Sequence, residues 1–386
     1  MATTNSVDID VVSRTQGGIS TETNVQSIRN EIGQYLQINN MNFLIGAGCS
    51  SNIVEDETGN LLETGIPGMA QLFEGFCKEN VNFDIAGKQI VGEFDSNLEK
   101  MLESMGSIQI TNDIFQVDDA ISDKITAVKR FLFKEIKNGH DSPQVLDLYK
   151  SFYMRISGPN RKTPINVFTT NYDLFNEKAL DDLRFPYNNG FSCTYSRKFN
   201  PASYRYTFVE SINLSTDVWE QIPHFFSLYK LHGSISWKKS GLEVLEVNPN
   251  TITEDDAVMI YPTPMKDRST LMNPYSDLFR AMENAISKPN SVLITMGYSF
   301  GDDHINRLIT NALAVPSFKL IVFGLGDNIK KLNTLKDRRI IIINSPGKIH
   351  YFKNIIEKVL PSIAEETIES IEDQEHADSA KLLFCD

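Results

Sequence analysis

An apolar run that ends in two closely spaced glycines does most to limit what this chain can fold into. Residues 43–45 (FLI) lead directly into residues 46–51 (GAGCSS). Many nucleotide-binding α/β domains begin in this way, because glycine lets the backbone approach a phosphate without a Cβ in the way. We expect a helix to start at Ser50 or Ser51, with its N–H groups facing a diphosphate. The third glycine of the dinucleotide fingerprint is missing, so a tight turn without a ligand is the alternative.

Three later apolar runs also end in glycine or small polar residues. They are 165–173 (INVFTTNYD), 225–234 (FFSLYKLHGS) and 291–304 (SVLITMGYSFGDDH). Helical patterns lie between and after them, as in sheets built from parallel strands. Such sheets bind ligands beyond the carboxyl ends of their strands, so we expect these polar residues to share one edge. The predicted fold class is α/β: a Rossmann-like, mostly parallel sheet with helices on both faces, plus a smaller, mainly helical inserted module.

The polar residues after these runs are candidates for chemistry. Asn171 and Asp173 follow the second run, and His232 follows the third. The alternative for Asn171 and Asp173 is that either one caps the next helix, and for Asp173 both interpretations stay open. A lone histidine after a strand is often structural, but the matched position of Asn171 favours a functional His232. Asp302 and Asp303 fall in the first turn of a helix, where a favourable interaction with its dipole is sufficient to explain them.

Composition excludes several classes of protein. The chain has 386 residues, a 41% hydrophobic content and a formal net charge of -13, which argues against nonspecific binding to nucleic acid or anionic membranes. Its four cysteines are far apart and form no CxxC pair, so neither a zinc site nor a disulfide framework is indicated. No apolar run approaches the roughly 18–20 residues of a membrane span, and no signal-peptide pattern is present. A cytoplasmic protein is expected.

The domain organisation can be outlined from the same patterns. Residues 1–22 are rich in Thr, Ser, Gly and Asp, and we expect a flexible N-terminal arm. A first helix should begin with Thr23 or Asn24 as its N-cap. One α/β domain should then extend over 23–360, with an acidic C-terminal tail at 361–386. Insertions into the domain are expected at about 80–140, which is mostly helical, and at 185–222 and 238–275.

Four stretches together resemble the sirtuin-like (Sir2-like) NAD-binding domain, specifically its bacterial antiphage-defence branch. They are GAGCS at 46–50, TTNYD at 169–173, LHGS at 231–234 and GYSFGDDHIN at 297–306. The resemblance spans roughly residues 25–345. LHG and GYSF followed by Asp are its more specific parts.

Two departures from the sirtuin pattern limit what the resemblance implies. Residues 65–67 (GIP) look like the GIP of sirtuins, but the arginine that follows it there is absent here. The two CxxC pairs that hold the structural zinc of the deacylases are also absent, so no zinc is expected. The resemblance therefore implies the part that binds NAD⁺ and breaks its glycosidic bond. Members of the short type in this branch are NADases that work beside a HerA-type hexameric ATPase.

The resemblance also implies roles for individual residues. Asn171 would position the attacking water, because an amide can both donate and accept. His232 would accept a proton from a ribose hydroxyl or from water. Asp173 would anchor the site through hydrogen bonds to its neighbours. The remaining residues would bind NAD⁺ through backbone N–H groups, hydroxyls or close backbone approach; they are Gly46, Ala47, Gly48, Ser50, Ser51, Thr170, Gly233, Gly297 and Ser299.

The function expected from these observations is NAD⁺ hydrolysis to nicotinamide and ADP-ribose, which depletes cellular NAD in abortive-infection defence. One alternative is a protein deacylase or ADP-ribosyltransferase that uses the same chemistry with another acceptor. The other is a non-catalytic NAD-binding scaffold subunit. An NADase that kills its host needs restraint, so we expect a homo-oligomer that gates the pocket. No direct sequence-specific nucleic-acid binding is expected.

Overall fold

A nine-stranded sheet forms the centre of the protein in the computed structural model, which describes residues 11–55, 61–158, 161, 163–213, 218–260 and 274–361. In spatial order the strands are β2 (Ile19–Asn24), β1 (Val11–Gln16), β20 (Ile340–Asn344), β19 (Lys319–Phe323), β18 (Ser291–Met296), β3 (Asn40–Ile45), β8 (Ile165–Thr169), β14 (Phe226–Lys230) and β9 (Tyr187–Asn188). From β20 to β9 every neighbouring pair is parallel, whereas β1 is antiparallel to both of its neighbours.

Helices cover both faces of this sheet, as predicted. The first face carries α1 (Val25–Leu36), α5 (Pro143–Ile156), α6 (Phe175–Leu183) and a short helix, Phe352–Asn354, that continues as a π-helical turn, Ile355–Val359. The second face carries α7 (Tyr275–Ile286), α8 (Asp303–Ala312) and α9 (Asp327–Asn333). Alternate residues of one strand serve the two cores: Phe43 and Ile45 pack on the first face and Leu44 on the second. Apolar runs without alternation therefore form the central strands.

The mainly helical module packs around an apolar cluster of its own. Its helices are α2 (Met69–Glu79), α3 (Leu98–Phe115) and α4 (Ile121–Gly139), and it also holds the two-residue strands β6 (Asp84–Ile85) and β7 (Lys88–Gln89) and a 3₁₀ turn, Phe94–Ser96. Phe133 and Ile136 of α4 pack with Ile235, Ile252 and Met259, which joins the module to the rest of the protein. Helices α3 and α4 lie within the range of the insertion predicted at about 80–140, whereas α2 lies before it.

A second, smaller sheet is built largely from the other two predicted insertions. Its strands, in spatial order, are β10 (Phe191–Ser192), β11 (Lys198–Phe199), β16 (Glu243–Glu246), β15 (Gly233–Ser240) and β17 (Ala257–Met259). Two separate hairpins are β4 (Ser51–Glu55) with β5 (Leu61–Gly65), and β12 (Val209–Asn213) with β13 (Val218–Gln221). Short 3₁₀ turns are Ala47–Cys49, Pro201–Arg205 and Pro249–Thr251.

The prediction of a flexible arm at 1–22 is wrong for residues 11–22. These residues form the β1–β2 hairpin, and β1 pairs with the last strand of the sheet, from Ser13 opposite Asn344 to Gln16 opposite Ile341. Val12 is fully buried, whereas most residues of β2 are exposed. A hairpin at the sheet edge that buries only Val12 and Thr15 needs few apolar residues, which explains its polar composition. Residues 1–10 lie outside the described residues.

Two other expectations concern the chain ends and membranes. The predicted N-cap of the first helix is confirmed at Asn24, whose side-chain oxygen accepts a hydrogen bond from the Ser27 N–H at 2.8 Å. The acidic tail lies outside the described residues except for residue 361. Among the helices that the structure describes, none is both long and apolar enough to cross a membrane.

Candidate active site

The four apolar runs end at one level across four adjacent strands. Met296 lies opposite Ile45, Ile45 opposite Thr169, and Thr169 opposite Lys230. Because these strands are parallel and in register, the residues that follow them emerge at the same edge of the sheet. Asn171 lies two residues after the end of β8, and His232 lies two residues after the end of β14. The structure therefore brings the predicted polar residues to one edge.

The turn after β3 differs from the expectation. Residues Ala47–Cys49 form a 3₁₀ turn, and Ser51 then begins the hairpin strand β4 opposite Gly65. The prediction that an α-helix starts at Ser50 or Ser51 is wrong. Residues 51–54 (SNIV) and 61–65 (LLETG) pair as antiparallel strands instead of continuing into a helix. No helix dipole therefore points at a ligand from this turn.

The glycines of this turn pack against the turn after β18. A Cβ on Gly46 would lie 2.4 Å from the Gly297 carbonyl oxygen, and a Cβ on Gly297 would lie 2.6 Å from the Cys49 nitrogen. Gly297 also has a φ of +61°. The Gly46 N–H donates to the Met296 carbonyl at 2.9 Å, and the Gly48 N–H to the Gly297 carbonyl at 3.0 Å. Two of the three N–H groups that were expected to cradle a diphosphate, those of Gly46 and Gly48, are thus bonded within the protein.

Asn171 is held by its amide nitrogen and presents its amide oxygen. Nδ2 donates to the Gly46 carbonyl at 3.0 Å and to Ser50 Oγ at 2.8 Å. The Asn171 N–H donates to Thr169 Oγ1 at 3.0 Å. Oδ1 is buried and has no hydrogen-bond partner among the described residues. Since leaving a buried acceptor without a donor costs about 1–3 kcal/mol, the arrangement fits a ligand or water that donates to Oδ1.

Asp173 supports this arrangement from beneath. Ser50 Oγ donates to its Oδ2 at 2.6 Å, while its Oδ1 accepts from the Phe175 N–H at 3.1 Å. The carboxylate thus contacts the start of α6 and also anchors Ser50, so both interpretations of Asp173 have a structural counterpart. At 1% exposure Asp173 positions Ser50 and, through it, Asn171. Burial raises the pKa of the neighbouring Tyr149 hydroxyl, and the Asp173 carboxylate raises it further, which keeps that phenol neutral.

His232 lies beside a carboxylate that the sequence analysis explained only by the helix dipole. His232 Nε2 is 2.9 Å from Asp302 Oδ2, and both side chains are at least nine-tenths buried. The other oxygen of Asp302 caps α8, accepting from the N–H groups of His304 at 3.0 Å and Ile305 at 3.4 Å. The Asp302 carboxylate thus holds the imidazole ring in this orientation. The sequence could have indicated this role of Asp302, because Asp302 follows a strand that ends at the same edge of the sheet.

The loop between β18 and α8 is shaped to aim Asp302 at His232. Phe300 has a φ of +56°, which is rare for a bulky residue, and its ring is buried against the Tyr298 ring at 4.9 Å. The Asn306 side chain donates to the Phe300 carbonyl at 2.9 Å. These contacts hold the strained backbone two residues before the helix cap.

The remaining predicted residues are distributed around this edge. Thr170 follows β8 and donates its N–H to the Ile45 carbonyl at 3.2 Å. Gly233 begins β15 opposite Met259. Ser299 is exposed in the loop before α8, and Ala47 and Gly48 are exposed at the turn after β3. Their part in NAD⁺ binding stays a prediction. The described part of the chain contains no group of three or more His, Cys, Asp or Glu residues arranged to hold a metal ion.

Comparison with known proteins gives one family match. Residues 165–343 match the family described as SIR2-like domain. The matched range contains Asn171, His232 and Asp302, whereas the glycine turn after β3 precedes it. None of the curated proteins compared with the chain matches it. Residues 165–343 are thus similar to a SIR2-like domain, and the mixed α/β fold with its large, mostly parallel sheet is consistent with that similarity. The similarity favours an activity related to NAD⁺.

Proposed function

We propose that this chain hydrolyses NAD⁺ to nicotinamide and ADP-ribose. One observation carries the proposal: a buried acceptor that has no donor among the described residues and a histidine paired with a carboxylate follow two adjacent strands. Asn171 supplies the acceptor, and His232 with Asp302 supplies the pair. The match to the SIR2-like domain supports NAD⁺ as the substrate.

The reaction needs little acid catalysis. The bond between ribose C1′ and the nicotinamide nitrogen breaks, and its electron pair neutralises the departing pyridinium. Water adds its oxygen to C1′ and loses one proton. The protein therefore has to hold the ribose, stabilise positive charge on it and orient the water. Asn171 Oδ1, as an acceptor with no donor in the described residues, is suited to bind that water or a ribose hydroxyl.

His232 is proposed to take up the proton that is released. A protonated imidazole beside the Asp302 carboxylate, 2.9 Å away, gains a favourable charge interaction in a buried setting. Removing Asp302 would leave that positive charge without its partner. Asp302 is therefore proposed to act through His232.

The rest of NAD⁺ is proposed to lie along the exposed turn after β3. Gly46 and Gly48 already donate their N–H groups in backbone hydrogen bonds. Among residues 46–48, the N–H of Ala47 is therefore the donor that we propose for the substrate. We propose that five further residues at the same sheet edge line the NAD⁺ site: Ser51, Thr170, Gly233, Gly297 and Ser299.

The biological setting is also a proposal. The motif resemblance supports a cytoplasmic defence NADase that lowers cellular NAD after phage infection. It also supports a homo-oligomer that works with a HerA-type ATPase. Light scattering of the purified chain, alone and with that ATPase, tests the assembly, and a monomer at every concentration would contradict it.

Nicotinamide release from NAD⁺, followed by chromatography, tests the proposed reaction. We expect release, together with ADP-ribose, by the wild-type chain alone or with the HerA-type ATPase, and no comparable release by His232→Ala. An acyl-lysine peptide that is deacylated instead would support the deacylase alternative. NAD⁺ binding without turnover in both settings would contradict hydrolysis and favour a scaffold subunit.

A further inference from the structure

We propose that Lys230 is a positioning residue that holds the Asn171 loop in place beside His232; this inference rests on the proposed function. Lys230 is the last residue of β14 and is only 1% exposed. Its Nζ donates to the backbone carbonyls of Tyr172, at 3.4 Å, and Asp173. These carbonyls come one and two residues after Asn171, while Lys230 itself precedes His232 by two residues.

The ammonium group is paired with a buried carboxylate. Lys230 Nζ lies 3.0 Å from Glu177 Oε1, and the exposed fractions of the two side chains are 1% and 9%. Burial raises the pKa of the Glu177 carboxyl, whereas Lys230 lowers it. A buried ion pair of this kind often adds no stability beyond that of an apolar pair of similar volume. We therefore assign the role of the ion pair to the contacts that the Lys230 ammonium makes with two loop carbonyls.

The loops on both sides of Lys230 are already linked through their backbones. The Ile235 N–H donates to the Tyr172 carbonyl at 3.0 Å, and the Leu231 N–H donates to the Thr169 carbonyl at 2.8 Å. The Lys230 side chain adds a donor for the Asp173 carbonyl at the point where the chain turns into α6. Loss of this donor would let residues 171–173 shift relative to His232. A displacement of about 1 Å in a catalytic constellation can lower turnover about 10²-fold.

The test separates positioning from a stabilising role. Lys230→Met leaves Glu177 buried without its partner, so folding of this variant is expected to suffer. Lys230→Met/Glu177→Met replaces the pair with an apolar one and is expected to unfold at or above the wild-type denaturant concentration. We expect kcat of the double variant to fall about 10²-fold, with KM for NAD⁺ changed less than about threefold. A double variant with the wild-type kcat would overturn the proposal.

Lys178 offers a matched control on the same helix as Glu177. Its Nζ also donates to a backbone carbonyl, that of His140 at 3.0 Å, and it also pairs with a carboxylate, Asp141. It contacts neither Asn171 nor His232 in any of these bonds. Lys178→Met is expected to keep the wild-type kcat and KM.

Amide hydrogen exchange keeps this inference testable apart from the proposed function. If the wild type shows no turnover, even with the HerA-type ATPase, hydrolysis is contradicted, but the loop can still be examined. The amides of Asn171 and Phe175, which donate to Thr169 Oγ1 and Asp173 Oδ1, should exchange at least tenfold faster in the double variant than in the wild type. Unchanged exchange at both amides would overturn the role of Lys230.

Discussion

Two corners of the same sheet edge use similar sequence signals in different ways. At the β3–β18 corner, Gly46 and Gly297 bring two turns into contact, and the backbone N–H groups of the turn are largely bonded within the protein. At the β8–β14 corner, Asn171 and His232 are buried polar groups, and the Asn171 oxygen has no partner among the described residues. The first corner joins two turns by close packing, whereas the second presents the polar groups to which we assign the proposed reaction. A glycine turn after a strand is therefore not by itself a phosphate site.

The corners are nevertheless connected. Packing of the two glycine turns places the Gly46 carbonyl and the Ser50 hydroxyl where both accept from Asn171 Nδ2. Since the proposed reaction takes place at the β8–β14 corner, changes there should lower turnover with little effect on stability. Changes at the β3–β18 corner should first lower stability.

The largest expected effect is on turnover at the β8–β14 corner. His232→Ala should lower kcat about 10³-fold, equivalent to about 4 kcal/mol in the barrier, because the proton acceptor is lost. The free energy of unfolding, measured with urea, should change by less than about 2 kcal/mol. Turnover within threefold of the wild type would place the chemistry elsewhere.

Gly297→Ala should have the largest effect on stability. The added Cβ would meet the Cys49 nitrogen and occupy a backbone with positive φ, so we expect a loss of about 3 kcal/mol in the free energy of unfolding. Gly241 is the matched control, since its φ is +62° but a Cβ there meets no atom within 4 Å. Gly241→Ala should cost only about 1 kcal/mol. Equal losses in urea unfolding would show that close packing of the turns is unimportant.

Asp302→Asn should separate the two tasks of this side chain. Asparagine caps helices as well as aspartate does, so α8 and the unfolding transition should be retained. The charge beside His232 is lost, and kcat should fall about 30-fold, or about 2 kcal/mol. Steady-state kinetics and urea unfolding together check this expectation. Wild-type kcat would mean that Asp302 serves only as a cap.

Ser50→Ala should have the smallest effect of the set. It removes the hydroxyl that links Asn171 to Asp173 and leaves a buried carboxylate oxygen without that donor. We expect a loss of about 1–2 kcal/mol in stability and a decrease in kcat of only a few fold. A loss of turnover as large as that of His232→Ala would indicate that Ser50 contacts the substrate directly.

Much of the fold could be predicted because apolar runs and their polar ends are visible in the sequence. The four runs are adjacent strands, and the residues after them do share an edge. The N-terminal hairpin could not be predicted in the same way, because a hairpin at the sheet edge with Val12 of β1 buried and most of β2 exposed has the composition of a loop. The hairpin after Ser50 could not be predicted either, because the glycine motif is typical of a nucleotide-binding turn and such a turn leads into a helix.

The site could be predicted only in part, since burial and pairing are not visible in a sequence. Asn171 and His232 could be proposed from their positions after strands, and their roles stay predictions. Asp302 has a sufficient explanation as a helix-terminal residue, and only its distance to His232 shows a second task. Lys230 sits in an apolar strand, but its partner Glu177 lies 53 positions earlier in the chain, and only the fold brings them together.

Nicotinamide release at saturating NAD⁺ by Asn171→Ala tests the central claim most directly, with Asn40→Ala as its control. Asn40 is also an asparagine of this sheet that donates to a backbone carbonyl, that of Pro289 at 2.8 Å, but it lies at the opposite end of β3. We predict release at equal rates by the wild type and Asn40→Ala, and at least 10²-fold slower release by a folded Asn171→Ala. Release by Asn171→Ala at the wild-type rate would contradict the assignment of the chemistry to the β8–β14 corner.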